Sequence, residues 1–328
     1  MIIDIAFEPF FLFPNPHEQT VLGCFINLPK QLQSETKFVL LPDGDKLAYE
    51  VTTPRGWTPQ DPTVLMIHGL CGHHKSAPLV RMTNKLKRRK VRCIRLNLRG
   101  RGSGRGLARR LYHAGQSDDL LHALKVIKQE TPDSPITVVG FSLGGNIVLK
   151  LAGELKDKAS KYIEQVIAVS PPIDLQSTVE LLKNPANNAY QRYFMKLLKD
   201  DIEERKRLFP DEKYVNIFSG MTFLEYDEIY TAPAFGFSSA YDYYEKSSSK
   251  NFISDITIPC NILLSRDDPL VSTKSLDDIT IPSNVWVYTT NFGGHMGYVG
   301  TPGSSRGYYW LDNLLLEWIS EKNNLNFL

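Results

Sequence analysis

Short apolar runs recur along the chain, and between them apolar residues return every three or four positions. Lys37 to Leu41 and Lys46 to Thr52 are β-rich and separated by Pro-Asp-Gly, a hairpin-turn signal. Thr63 to Ile67 is an apolar run that stops at His68-Gly69. Leu79 to Arg89 has helical spacing, Val91 to Leu96 reads as a strand, and Ser117 to Glu130 as an amphipathic helix. Ile136 to Val139, Val166 to Val169, Cys260 to Leu264 and Val285 to Tyr288 read as further strands, and Asn146 to Glu154 and Trp310 to Lys322 as further helices. Apolar strands alternating with helices predict an α/β fold with a mostly parallel central sheet and helices on both faces. Ligands bind such sheets at the carboxyl ends of the strands. From 176 to 249 the alternation breaks into a stretch rich in Tyr, Phe, Lys and Asp with helix-like patches. The pattern predicts an N-terminal arm over 1–36 packed on the core, an α/β core from 37–175 and 250–328, and a helical cap inserted over 176–249.

Composition narrows the class without naming a chemistry. The 328 residues are 42% hydrophobic, with 22 glycines, so the chain can bury a core and is not predominantly disordered. No stretch approaches 18 uninterrupted apolar residues, which argues against a transmembrane protein. The N-terminus lacks a basic lead, carries Asp4 and Glu8 and is broken by Pro9, so it makes a poor signal peptide, and a cytoplasmic protein is expected. Phe7, Phe10, Phe11 and Phe13 in that arm either pack on the domain or dip into a membrane surface. Cys24, Cys71, Cys93 and Cys260 are far apart and form no CxxC pair, so neither a disulfide framework nor a zinc site is expected. Lys plus Arg is 38 and Asp plus Glu is 36, and this near-neutral balance argues against a nucleic-acid partner. One stretch departs from it. Arg81 to Arg110 holds 13 cations and no acid. Two readings stay open: a solvated face, or a surface for peripheral contact with anionic lipid or an anionic substrate.

The most informative segment is Ile136-Thr-Val-Val-Gly140-Phe141-Ser142-Leu143-Gly144-Gly145-Asn146. An apolar strand runs through Gly-x-Ser-x-Gly straight into a helical pattern. A tight strand-to-helix turn forces its serine into strained φ/ψ and brings its neighbours close, so Gly140 and Gly144 stand where a Cβ would clash. Ser142 is the candidate nucleophile. Serine needs a base oriented by a carboxylate, and in this context the acid and then the histidine follow in the chain. Asp267-Asp268-Pro-Leu-Val follows one apolar strand, and Gly293-Gly294-His295 follows the next. Asp268 is the preferred acid, with Asp267 serving the loop, and His295 is the base. Backbone N–H groups of Leu143 and of Leu70, in His68-Gly-Leu-Cys-Gly72, are the candidate oxyanion donors. Phe194, Met195, Phe235 and Phe237 either line an apolar acyl channel or form the core of the cap.

These residues resemble the α/β-hydrolase superfamily, and within it the YheT-like branch of bacterial esterase-type proteins, abhydrolase-domain lipases and fungal ethanol acyltransferases. Asn15-Pro-His-Glu-Gln-Thr20 is similar to the branch's N-x-H-x-Q-T element and His68-Gly-Leu-Cys-Gly72 to its H-G-L-x-G loop. Arg99-Gly100 with its following glycines, Tyr112-His113-Ala-Gly115, the Ser142 elbow and Thr231-Ala-Pro-Ala-Phe-Gly236-Phe resemble further branch elements. The chain departs from the pattern at Gln116, where an acid is common, and at Arg101, where Cys is common. His113 is expected to bond a neighbouring loop rather than to act in catalysis. The resemblance implies a carboxylic ester substrate, medium-chain or glyceride-like, cleaved through an acyl-enzyme on Ser142 with no metal or organic cofactor. An acyltransferase or thioesterase would use the same triad, and a catalytically silent scaffold that binds a ligand is the reading from another class. Dehalogenase chemistry is disfavoured, because its elbow nucleophile is an aspartate.

Overall fold

A computed structural model describes residues 1–25 and 32–323, the side chains of 24 and 25 aside. Among these residues nine strands form one sheet: β1 Ile2–Asp4, β2 Glu35–Leu40, β3 Lys46–Thr52, β4 Thr63–Ile67, β5 Arg92–Leu96, β6 Ile136–Phe141, β7 Gln165–Val169, β8 Cys260–Ser265 and β9 Val285–Thr290. Their spatial order is β1-β9-β8-β7-β6-β4-β5-β3-β2. β3 pairs antiparallel with β2 and with β5, and every other pairing is parallel. The central strands β4, β5, β6 and β7 are buried along their whole length, which is why β4, β6 and β7 read as largely apolar rather than alternating runs, while β5 buries Arg92 and Arg95 as well.

The helices are α1 Pro16–Phe25, α2 Ala77–Lys87, α3 Ser117–Glu130, α4 Leu143–Leu155, α5 Leu175–Leu182, α6 Asn188–Leu208, α7 Phe223–Tyr226, α8 Ala232–Phe235, α9 Ala240–Ser247 and α10 Trp310–Asn323. Two apolar cores separate along the sheet faces. One joins Leu65, Ile94 and Val138 to α3, α4 and the cap, and the other joins Met66, Val139 and Val169 to α2 and α10. Between β7 and β8 the chain builds α5 to α9, with a π-helical turn at Asp227–Thr231 between α7 and α8. The chain doubles back at β4, with β5 laid on one side of it and β6 on the other. A crevice at such a reversal is where open α/β sheets place their ligands.

The N-terminal segment lies against the sheet edge and the second core. β1 extends the sheet edge, with Ile3 opposite Tyr288. Phe7 is buried edge-on against Tyr298 and Trp310, whereas Phe11 is 72% exposed. A three-residue strand is too short to carry a period, so sequence pattern passes over it. Cys71, Cys93 and Cys260 are free and buried, and the Cys24 side chain lies outside the described residues. No helix among the described residues is long and apolar enough to cross a membrane.

Among the described residues, seven of the cations of 81–110 pair with acids on several different elements. Arg81 and Lys85 meet Asp312 at 3.1 and 3.4 Å. Arg99 is buried among Asp43, Asp45 and Asp119 at 2.6–2.8 Å. Arg101 and Arg105 pair with Asp201 and Glu204 of α6, and Arg109 with Asp211 and Glu212.

Candidate active site

β6 delivers Ser142 and α4 departs from it. Ser142 stands at φ 51° and ψ −121°, a combination that L-residues hold only under constraint. The constraint comes from close packing of strand on helix. A Cβ on Gly140 would lie 2.3 Å from Gly144 O, and one on Gly144 would lie 2.6 Å from His68 O. The Ser142 N–H donates to Val169 O of the neighbouring strand at 2.8 Å. The Ser142 carbonyl accepts from Gly145 and Asn146 N–H at 2.7 and 3.2 Å. The helical ladder therefore starts beyond Leu143, whose N–H is one of the first-turn donors an α-helix leaves unused.

Ser142 Oγ lies 2.8 Å from His295 Nε2, and His295 Nδ1 lies 2.8 Å from Asp268 Oδ2. A carboxylate at Nδ1 assigns the proton there and leaves Nε2 to accept from serine. The other Asp268 oxygen accepts the Leu270 and Val271 N–H groups at 2.8 and 3.0 Å. Those bonds explain why an Asp-Pro-Leu-Val spacing suits the acid. Asp267 does a different job. Its Oδ1 accepts the Gly294 N–H at 2.9 Å and also bonds Ser265 Oγ, bracing the loop that carries His295. Gly294, at φ 57°, could carry no side chain, because its Cβ would lie 2.3 Å from Pro16 O.

Two residues of α1 complete the brace, and motif reading singled out neither for the site. The His295 N–H donates to Thr20 Oγ1 at 2.9 Å, and that hydroxyl donates to Pro16 O at 2.7 Å. Gln19 is fully buried and bonds both backbone groups of Val299. Both belong to the Asn15-to-Thr20 element, which was the available signal.

The loop after β4 passes beside the serine. A Cβ on Gly69 would lie 3.1 Å from Ser142 Cβ and 3.6 Å from its Oγ. His68 is fully buried, and burial pushes its imidazole down to about 3, so it is neutral. Leu98 N–H donates to its Nε2 at 3.2 Å, so the proton resides on Nδ1 and is donated to Gly69 O at 2.7 Å. Gly72 N–H donates to the same carbonyl at 3.0 Å. In a trans peptide N–H and C=O point opposite ways. Anchoring the Gly69 carbonyl therefore turns the Leu70 N–H in the other direction.

Ser142, His295, Leu70 and Leu143 open onto a cavity of about 130 Å³ between sheet and cap. Its walls are mostly apolar, with Leu111, Leu182, Leu198, Phe223 and Tyr226 among them. Of the four residues considered for an acyl channel, Phe194 and Phe235 face this cavity. Met195 is instead buried in the core, and Phe237 meets His113 edge-on and Tyr243 at a tilt. The difference follows from α6: adjacent residues of a helix point about 100° apart, so Phe194 and Met195 cannot share one wall. His113 reaches the cavity as well. Its Nδ1 accepts the Gly115 N–H at 3.2 Å, its ring lies 4.4 Å from that of Phe235, and burial pushes it down to about 3. Asp227 was not anticipated. It is a buried carboxyl on the cavity wall that accepts from Thr231 Oγ1 at 2.6 Å and Tyr244 OH at 2.8 Å. Burial raises it to about 6 against the pull of those two bonds.

Comparison with known proteins supports the fold. The sequence model of the alpha/beta hydrolase fold family matches residues 62–300. YheT of Escherichia coli (strain K12), provisionally named an esterase, is 26% identical over 324 residues, spanning 96% of this chain and 93% of that protein. Medium-chain fatty acid ethyl ester synthase/esterase 2 of Saccharomyces cerevisiae is 26% identical over 288 residues, 80% of this chain and 63% of that one. Among solved structures, the Pyrococcus furiosus esterase Pf2001 shares the fold with a TM-score of 0.56 at 17% identity, covering 97% of this chain and 98% of that one. With the family match spanning most of the chain and the serine standing at its strand-to-helix turn, the protein belongs to the α/β-hydrolase fold family, and its similarity to YheT is consistent with a place in the YheT-like branch.

Proposed function

We propose that this protein is a serine hydrolase that cleaves a carboxylic ester, medium-chain or glyceride-like, through an acyl-enzyme on Ser142. The observation that carries the reading is the line Ser142 Oγ to His295 Nε2 to Asp268, with both contacts at 2.8 Å. In the first half-reaction Ser142 Oγ bonds the ester carbonyl carbon while His295 Nε2 takes the hydroxyl proton. Asp268 holds the tautomer and stabilises the imidazolium. The carbonyl π-electrons move onto oxygen, where the Leu70 and Leu143 N–H groups receive them. Collapse of this intermediate expels the alcohol, which takes its proton from His295. Water then repeats the sequence on the acyl-enzyme, and the carboxylic acid leaves. The steps require no metal or organic cofactor. The apolar cavity wall beside Ser142 supports an alkyl acyl group.

The decisive test is labelling by a fluorophosphonate followed by turnover of an ester chain-length panel. Ser142→Ala is expected to abolish both, and labelling that survives the substitution would exclude Ser142 as nucleophile. A second reading is supported by the name of the yeast relative, which pairs ester synthase with esterase. An alcohol that outcompetes water for the same acyl-enzyme makes the protein an acyltransferase. Added ethanol would then divert product from free acid to ethyl ester.

A further inference from the structure

The loop that carries the Leu70 N–H is held on both sides at Cys71, a non-glycine residue at φ 57°. On one side the Cys71 N–H donates to Tyr112 Oη at 2.8 Å. On the other, Arg101 reaches in from the Gly-rich loop after β5. Its Nη2 donates to Cys71 O and its Nε donates to Gly72 O at 3.0 Å. Its remaining terminal nitrogen, Nη1, donates to both oxygens of Asp201, which belongs to α6 in the cap. The base from which Arg101 extends is rigid. The next residue, Gly102, sits at φ 54°, and a Cβ there would lie 2.3 Å from Asn97 Oδ1. Asn97 Oδ1 is itself fixed by the His74 N–H at 2.8 Å. A guanidinium can satisfy two carbonyls and a carboxylate at once because its donors lie in a planar fork, whereas a lysine ammonium has no such fork.

We propose that Arg101 is a positioning residue for the oxyanion hole: its bonds to Cys71 O and Gly72 O hold the Leu70 N–H in place, and Asp201 on the cap orients the guanidinium. The loop is then fully set only when α6 lies over it. This inference rests on the serine-esterase reading. It assigns to the cap a part in transition-state stabilisation beyond walling the cavity.

The test compares Arg101→Met, Arg101→Lys, Asp201→Asn and the Arg101→Met/Asp201→Asn double variant. Each is titrated with a fluorophosphonate to count competent Ser142, and its melting temperature is recorded. Kinetics are measured on an activated alkyl ester, and affinity on an alkyl boronic acid, whose serine adduct places an oxygen in the oxyanion hole. Arg101→Met is expected to lower kcat about 100-fold, the loss typical of one oxyanion donor, with KM changed less than about threefold and boronate affinity falling in parallel. Arg101→Lys should fall between it and the parent. Asp201→Asn should lower kcat about tenfold, and the double variant should be no worse than Arg101→Met, because both residues act through one contact. If Arg101→Met does not fold, Asp201→Asn and Arg101→Lys carry the comparison. The proposal is overturned if kcat stays within about threefold in the folded variants. It is likewise overturned if KM rises with kcat unchanged, or if the two single effects multiply. Failure of the unsubstituted protein to label at Ser142 would instead overturn the esterase reading beneath it.

Discussion

Two adjacent carboxylates at the end of β8 take on separate work because their backbones face different partners. Asp268 meets His295 and two N–H groups of its own turn, while Asp267 meets Gly294 and Ser265. Asp268→Asn should therefore lower kcat by about 10⁴-fold, since an amide no longer favours the tautomer with the proton on Nδ1. Asp267→Asn should lower it far less, because only the bracing of the histidine loop changes. Steady-state kinetics of the two variants check the assignment, and a larger loss at Asp267 would reverse it. The preference for Asp268 was legible in the spacing to Leu270 and Val271. The support from Thr20 was not, because nothing in local pattern says that a threonine 275 positions upstream meets the His295 backbone.

At the scale of elements, the turn from α7 through the π-helical segment to α8 and α9 is built around Asp227. Burial raises its folded carboxyl from an ordinary value of 3.8 to about 6. An acid with a raised folded value stabilises the fold fully below about 3.8, and that contribution is lost as pH rises through about 6. The amount corresponds to about 3 kcal/mol. Asp227→Asn does not titrate, so its stability relative to the parent should improve between about pH 4 and pH 6 and level off above pH 7. Urea unfolding at several pH values measures this, and a constant difference between the two proteins would contradict the buried acid. The helices after β7 each bury one face, Leu175, Val179 and Leu182 in α5 and Met195, Leu198 and Ile202 in α6, so what sequence left unread there was which elements those faces meet. In the core the pattern predicted Ser117–Glu130 and all but the last residue of Trp310–Asn323.

The whole molecule decides what the basic stretch means. Among the described residues, seven of the thirteen cations between 81 and 110 are ion-paired with acids that lie between Asp43 and Asp312 in the chain. A cation neutralised by a near partner projects little field to the distance at which a substrate is steered. Rates on matched neutral and anionic esters should then respond alike to salt between low and physiological ionic strength. A steeper fall for the anionic ester would restore a steering surface. The sequence by itself determined the alternation of buried strands and helices, and the order serine, acid, histidine at strand ends. These are local properties, written in periodicity and in glycines that admit close backbone approach. Only the tertiary structure decided which acid each arginine meets, which side chains after β7 face the cavity, and that α1 bonds the loop carrying His295 while α6 pairs with Arg101. Most of those contacts join residues far apart in the chain, and topology rather than any local pattern brings them together.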